Sequence, residues 1–260
     1  MKLKASFLKK LIYISLLFLT IVVIPPAMAQ INDEAEKYLS KMLERKVPYN
    51  VKVLDIDFVI NNTGSYPPGK ITEIFMEYLI KNNLIKNKNI ADIGAGCFAL
   101  GIISAIKGAN LVIGVDISED AIKCAYDNMK LHGLKDNIYI YQENGVGSLV
   151  SQYKNKMDLV LAGMPWDTIK SEEFNNLPDN RKSLSRSFYD VDDELINSVF
   201  TSGFELLNTK NGKMFITASD RIINRIKSFC LKHHLNYKIV KEADLHNDDN
   251  LHYILEISKI

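Results

Sequence analysis

At 260 residues, with 47% hydrophobic and 24% charged residues and a formal net charge of +1, the chain has the make-up of a folded globular protein, which excludes a disordered or low-complexity segment. The balanced charge provides no basic field, so a nucleic-acid partner is not expected. Three cysteines, Cys97, Cys124 and Cys230, are too few and too scattered for a disulfide framework and read as small buried hydrophobes.

The first 29 residues stand apart. Lys2, Lys4, Lys9 and Lys10 precede an apolar run from Leu11 to Ile24, and Ala27-Met28-Ala29 follows. A basic start, an apolar stretch too short to span comfortably and an Ala-x-Ala end describe a leader. Residues 1–29 are therefore expected to be a signal peptide or membrane anchor, with the rest of the chain exported because the lysines come first. Without those lysines the remainder is slightly acidic. The unpaired cysteines point the other way, to the cytoplasm.

Residues 30–69 read as an N-terminal extension: a polar helix over 32–46, one half-buried strand over 51–60 and a turn cluster, "NNTGSYPPG", over 61–69. From 70 to 260 strands and helices alternate. Ile71, Ile74, Phe75, Tyr78 and Leu79 share one helix face. Strands are expected ending at Ile93, at 111–115, 137–141, 157–162, 213–218, 237–240 and 252–258, and helices near 99–107, 118–131, 190–207 and 220–234. A polar insert, 167–189, interrupts the alternation. The class is α/β: a doubly wound, mostly parallel seven-stranded sheet with an antiparallel C-terminal strand pair, plus a small N-terminal helix/strand extension.

"NIADIGAGCFALG" (89–101) is strand, Gly-x-Gly loop, helix. Backbone amides at such a helix start face a ligand, and Gly94 and Gly96 let it approach the main chain closely. The next strand ends in Asp116, about 20 residues on, where a carboxylate can accept from both ribose hydroxyls. Ser118 suits the N-cap of the following helix. This pattern fits a dinucleotide, but Asp92, two residues before Gly94, would repel a pyrophosphate. It would attract a ligand carrying an amino group and a sulfonium.

The stretch "DIGAGCFALGIISAIKGANLVIGVDISEDAIKCAYDNMKLHGL" (92–134) resembles the front half of the Rossmann-like S-adenosylmethionine-dependent methyltransferases. It is nearest the subgroup of release-factor glutamine, ribosomal-protein and adenine-N6 methyltransferases. "SYPPGKITEIF" (65–75) is similar to the Tyr-Pro-Pro segment of that subgroup, and Asn128 takes the place of its helix asparagine. The resemblance spans roughly 64–260 and implies S-adenosylmethionine as cofactor. It implies that Asp92, Gly94, Ala95 and Gly96 hold the methionine end. Asp116 would take the ribose, Ile117 would pack on the adenine, and Asn144 would read its amino group. Phe98 stands where the family has its third loop glycine and is expected to crowd the cofactor.

The subgroup ends its fourth strand in Asn/Asp/Ser-Pro-Pro-aromatic, which orients a target nitrogen and holds it flat. Here the segment is Gly163-Met164-Pro165-Trp166. The resemblance implies that Gly163 borders the cofactor and that Met164, Pro165, Trp166 and Asp167 form the acceptor side. The side-chain acceptor of the missing Asn is absent, and Asp167 either replaces it or faces solvent. The implied acceptor is a protein or a small molecule. Arg181, Lys182 and Arg186 offer charge to an acidic substrate, though a solvated loop is the plainer reading. Phe188 and Tyr189 either wall the pocket or anchor the loop. The pairs His233-His234 and His246…His252 lack ligand spacing, so no metal is expected. Two rivals stand beside the enzyme: an exported, non-catalytic binding relative, favoured by the leader, Phe98 and Gly163, and a nicotinamide-dependent oxidoreductase, disfavoured by Asp92.

Overall fold

In the computed structural model, which describes residues 33–245 and 251–259, the first described element is helix α1 (Asp33–Leu43). The expected leader and His246 lie outside the described residues. Residues 39–260 form one compact unit.

Strands β1 (Tyr49–Val53) and β2 (Ile56–Ile60) make an antiparallel hairpin in which Val53 faces Ile56. The single strand expected over 51–60 is thus two. Leu54 and Asp55 turn the chain with φ of 50° and 62°, the conformation of a type I′ turn, whose usual Asn-Gly signature this sequence lacks. Helix α2 (Lys70–Lys81) buries Phe75, Met76 and Leu79. The alternating units then follow: β3 (Asn89–Ile93), α3 (Ala99–Ile106), β4 (Leu111–Asp116), α4 (Glu119–Leu131), β5 (Ile138–Gln142), the short α5 (Val150–Tyr153) and β6 (Leu159–Gly163). The polar insert is ordered: β7 (Asp167–Ile169), α6 (Ser171–Asn175), α7 (Asp179–Ser185) and β8 (Tyr189–Val191), with β7 and β8 paired in parallel.

The helix expected over 190–207 begins only at α8 (Glu194–Ser198), because Tyr189–Val191 pairs as β8 and Asp192 and Asp193 are left-handed, with φ of 48° and 65°. It continues through a π turn, Val199–Gly203, into α9 (Phe204–Leu206). Asp190 explains the start: its carboxylate accepts from Leu195 N at 2.9 Å and Ile196 N at 3.0 Å, satisfying first-turn donors. The chain ends with β9 (Lys213–Ser219), α10 (Asp220–Lys232), β10 (Leu235–Asp244) and β11 (Leu251–Lys259).

The main sheet has seven strands in the order β10-β11-β9-β6-β3-β4-β5. Strands β9, β6, β3, β4 and β5 are parallel, and β11 runs antiparallel to both neighbours. The parallel strands are apolar on both faces, as helices on both sides require. Ile90, Val112, Leu161 and Phe215 meet the α2–α4 side, and Ala91, Ile113, Val160 and Ile216 meet the α8–α10 side. All three cysteines are buried and free.

The hairpin docks on α4 chiefly through Asn128, with Cys124 and His132 also reaching its backbone. Asn128, fully buried, accepts from Val59 N at 2.7 Å and donates to Val59 O at 3.1 Å. The chain winds from β3 outward to β5 and then crosses back to β6 on the other side of β3. That reversal opens a crevice beyond the carboxyl ends of β3 and β6, the position where doubly wound sheets bind ligands.

Candidate active site at the switch point

Two loops flank the crevice: 94–98 after β3, and 164–166 after β6. In the first, Gly94 N and Ala95 N both donate to Val115 O of β4, at 2.9 and 3.0 Å. Gly94, Gly96 and Phe98 have positive φ, of 71°, 57° and 65°. Glycine adopts this geometry freely, whereas at Phe98 it is strained. A Cβ built on Gly96 meets no atom within 4 Å, so the loop backbone borders open space there.

Phe98 does not crowd that space, contrary to the expectation. Its ring is fully buried and turns back between α3 and the sheet. A Cβ on Gly101 would stand 2.0 Å from this ring, and one on Gly114 2.4 Å. Two glycines, one on the helix and one on β4, thus make the room that lets an aromatic replace a loop glycine. The argument that Phe98 drew toward a non-catalytic relative is removed with it.

Asp92 and Asp116 supply the crevice's negative charge. Asp92 is 1% exposed. Its Oδ2 accepts from Gly101 N at 3.3 Å, while Oδ1 is buried without a partner. Burial pushes its carboxyl up to about 7, with Asp116 nearby adding to the rise and the Gly101 amide opposing it. Asp116, at the tip of β4, accepts from Gly96 N and Ser118 N, both at 2.8 Å. Burial raises its carboxyl too, against those two amides and the guanidinium of Arg186. Ser118 caps α4 as expected, accepting from Ala121 N at 3.3 Å. Ile117 is half-buried beside it, and Asn144 is exposed, with Nδ2 3.4 Å from Glu194 Oε2. An unpartnered buried carboxylate oxygen, an open glycine cradle and a second carboxylate at the next strand end suit a ligand bearing cationic groups and a ribose.

On the β6 side Gly163 is exposed, Pro165 is buried, and Met164 and Trp166 are half-buried. Met164 N donates to Thr217 O at 3.2 Å, tying the turn to β9. A Cβ on Gly163 meets only Thr217 Oγ1, at 3.8 Å, so the notch that an Asn side chain would use is open. Asp167 accepts from its neighbour Thr168 N at 2.8 Å, and its own amide pairs with Phe188 O. Phe188 is fully buried and anchors the insert. The rings of Trp166 and Tyr66 each lie 5.4 Å from it, which gathers the Tyr-Pro-Pro segment and the β6 turn into one aromatic wall. Tyr66 is brought there by Ser65 Oγ and Asn62 Nδ2, which donate to Asp120 O at 2.9 and 3.0 Å.

The solvated-loop reading holds for Lys182, paired at the surface with Asp179, but not for Arg186. Arg186 lies over the Phe174 ring at 4.6 Å and pairs with Glu194 at 3.6 Å. Spacing alone had no means of finding Glu194, Leu195 or Ser183, which reach the crevice only through the fold of the insert. Among the described residues no group of His, Cys, Asp or Glu is arranged to hold a metal, and no helix is long and apolar enough to cross a membrane.

Residues 63–171 match the family model described as "Ribosomal protein L11 methyltransferase (PrmA)". A ribosomal protein L11 methyltransferase of Caldanaerobacter subterraneus subsp. tengcongensis is 32% identical over 118 residues, 45% of this chain and 35% of that one. An rRNA N(6)-adenosine-methyltransferase of Danio rerio is 37% identical over 105 residues, 40% of this chain and 50% of that one. The chain thus spans half or less of these relatives' length. Among solved structures, a T. Thermophilus 16S rRNA methyltransferase in complex with AdoMet and guanosine has the same fold, with a TM-score of 0.55 at 12% identity over 82% of this chain and 50% of that one. The resemblance to the Rossmann-like S-adenosylmethionine-dependent methyltransferases is therefore shown by independent comparison. Since protein- and rRNA-modifying relatives stand side by side, the charge argument against a nucleic-acid partner carries no further.

Proposed function

We propose that the chain is an S-adenosylmethionine-dependent methyltransferase acting on a nitrogen of a protein or small-molecule acceptor. The observation that carries the reading is the pairing of Asp92, with a buried oxygen lacking any partner, and Asp116, both beside a glycine cradle at the switch point. In this reading S-adenosylmethionine supplies a methyl group activated by its sulfonium. The backbone of Gly94, Ala95 and Gly96 takes the methionine end, and Asp92 faces its positive charge. Asp116 uses its remaining lone pairs for the ribose hydroxyls, Ile117 lies against the adenine, and Asn144 reads its amino group.

The acceptor enters from the side of Gly163, Met164, Pro165, Trp166 and Asp167. The Trp166 ring holds a planar group flat, and the backbone after β6 offers an acceptor for its N–H. Rate enhancement then comes chiefly from alignment for in-line attack, with preorganised acceptors for the target N–H. Supporting the nitrogen acceptor are the position of the β6 turn and the names of the relatives. The loss of the Asn side chain at Gly163 leaves the identity of that nitrogen to an acceptor screen.

The test is calorimetric titration of S-adenosylmethionine into the chain, with Asp116→Ala as the control. Micromolar binding abolished in the variant is expected; a folded wild-type chain that takes up no cofactor would overturn the proposal.

A further inference from the structure

The insert between β6 and α8, together with the first turn of α8, reaches each of the three elements assigned above to the cofactor. Over the glycine loop, Leu195 stands so near that a Cβ on Gly94 would lie 3.3 Å from its side chain. At the ribose end, Ser183 Oγ of α7 is 2.6 Å from Ser118 Oγ, the residue that caps α4 just after Asp116. At the adenine end, Glu194 meets Asn144 and holds Arg186, which in turn packs on Phe174. Helix α7 also lies close to the residue before the Ser-Tyr-Pro-Pro segment: a Cβ on Gly64 would come 2.8 Å from Ser183 Oγ. The root of the insert is fixed separately, by Arg225 of α10, which donates to Thr168 Oγ1 at 3.0 Å and pairs with Asp193.

The tip buries only Leu184 and Ser185 of α7 and is otherwise held by the contacts of Ser183 and Arg186, while the root has its own anchors, an arrangement in which the tip can swing. The consecutive left-handed residues Asp192 and Asp193 mark where the backbone would absorb the motion. From this geometry we propose that the insert is a latch on the cofactor site, with Ser183 and Arg186 as its catch, so that cofactor can exchange only when α7 leaves Ser118. Ser183 and Arg186 are then positioning residues that set the lifetime of bound cofactor. The inference rests on the reading of the crevice as a cofactor site.

The chain reports on this itself, because its single tryptophan, Trp166, lies against Phe188 at the insert's root. Stopped-flow tryptophan fluorescence with S-adenosylhomocysteine gives association and dissociation rates. Loss of one hydrogen bond in Ser183→Ala is expected to speed dissociation roughly five-fold, and loss of the charged contact in Arg186→Gln roughly ten-fold. The decisive experiment pairs Ser118→Cys with Ser183→Cys in one chain; the two hydroxyl oxygens stand 2.6 Å apart, so that oxidation can join the cysteines. Oxidised, this variant is expected to take up ligand at least about a hundred-fold more slowly than the same protein after reduction. Comparing two redox forms of one protein removes any effect of the lost cap, and the native cysteines are buried. Equal uptake by both forms, with unchanged dissociation in the single variants, would overturn the latch and leave the cofactor site intact. A wild-type chain that binds no S-adenosylhomocysteine would overturn both.

Discussion

The loop after β3 and the insert after β6 flank one crevice but are held in shape by different forces. The loop is fixed from below: Phe98 is locked between Gly101 and Gly114, and its neighbours donate to the strand beside them. Its geometry is a consequence of core packing, and Asp92, in the strand that leads into it, keeps a buried oxygen without a partner. The insert is fixed by scattered polar anchors at its root and tip, with a small set of buried side chains, Phe174, Leu184, Phe188 and Tyr189, between them. Packed cores have one arrangement, whereas polar contacts at a rim exchange with water at little cost. The difference assigns rigidity to the cofactor cradle and movement to the acceptor side.

The strongest test of this contrast is Phe98→Ala. Removing a fully buried ring should destabilise the chain by about 3–5 kcal/mol, read from urea unfolding followed by far-UV circular dichroism. Combining it with Gly114→Ala, which fills part of the vacated space, should cost less than the two single changes added together. Additivity would mean that the ring and the glycines are not one packing unit.

Asp92→Asn comes next, and its sign depends on pH. A carboxyl raised from 3.8 to about 7 in the folded chain costs no stability while both states are protonated, below about pH 4. The cost grows as pH rises through 7, because the folded state resists losing the proton. The variant should therefore match the wild type near pH 4 and exceed it by a few kcal/mol at pH 8, while binding S-adenosylmethionine more weakly. Parallel stability profiles across that range would show that Asp92 carries no such penalty.

A smaller effect is expected at the insert's root. Arg225→Met removes the donor to Thr168 and the partner of Asp193, both part-exposed, and should cost roughly 1–2 kcal/mol or less. Limited proteolysis should then cut between residues 170 and 190 several-fold faster, with the β3 loop untouched. Equal protection would mean that the buried side chains of the insert hold it without the Arg225 anchors. The smallest change is Gly163→Asn: with only Thr217 Oγ1 near the new Cβ, at 3.8 Å, the free energy of unfolding should change by no more than about 0.5 kcal/mol. Its effect belongs to the acceptor, and a screen comparing it with the wild type should show altered preference among amide and amine substrates.

Much of this site was legible in the residues. The apolar runs of β3, β4 and β6 can only be strands buried on both faces, and their alternation with helical periods implies the parallel sheet. The order of elements also brings Asp92, Gly94, Gly96, Asp116 and the turn at Gly163 to one edge, because every parallel strand ends there. Other features had no local signature. Leu54-Asp55 turns a hairpin with residues that do not announce it, and Phe98 accepts a left-handed backbone only because glycines distant in sequence clear its ring.

The sequence by itself determined the layers, the strand direction and the side of the sheet on which chemistry takes place, since these follow from periodicity and from the right-handed crossovers of parallel strands. Only the tertiary structure decided which way Phe98 faces, that Asn128 clamps the hairpin, and that Ser183, Arg186, Glu194 and Leu195 close over the crevice. Those outcomes depend on contacts between segments up to about 70 residues apart, and no local pattern encodes the distance between two side chains that meet only once the chain has folded.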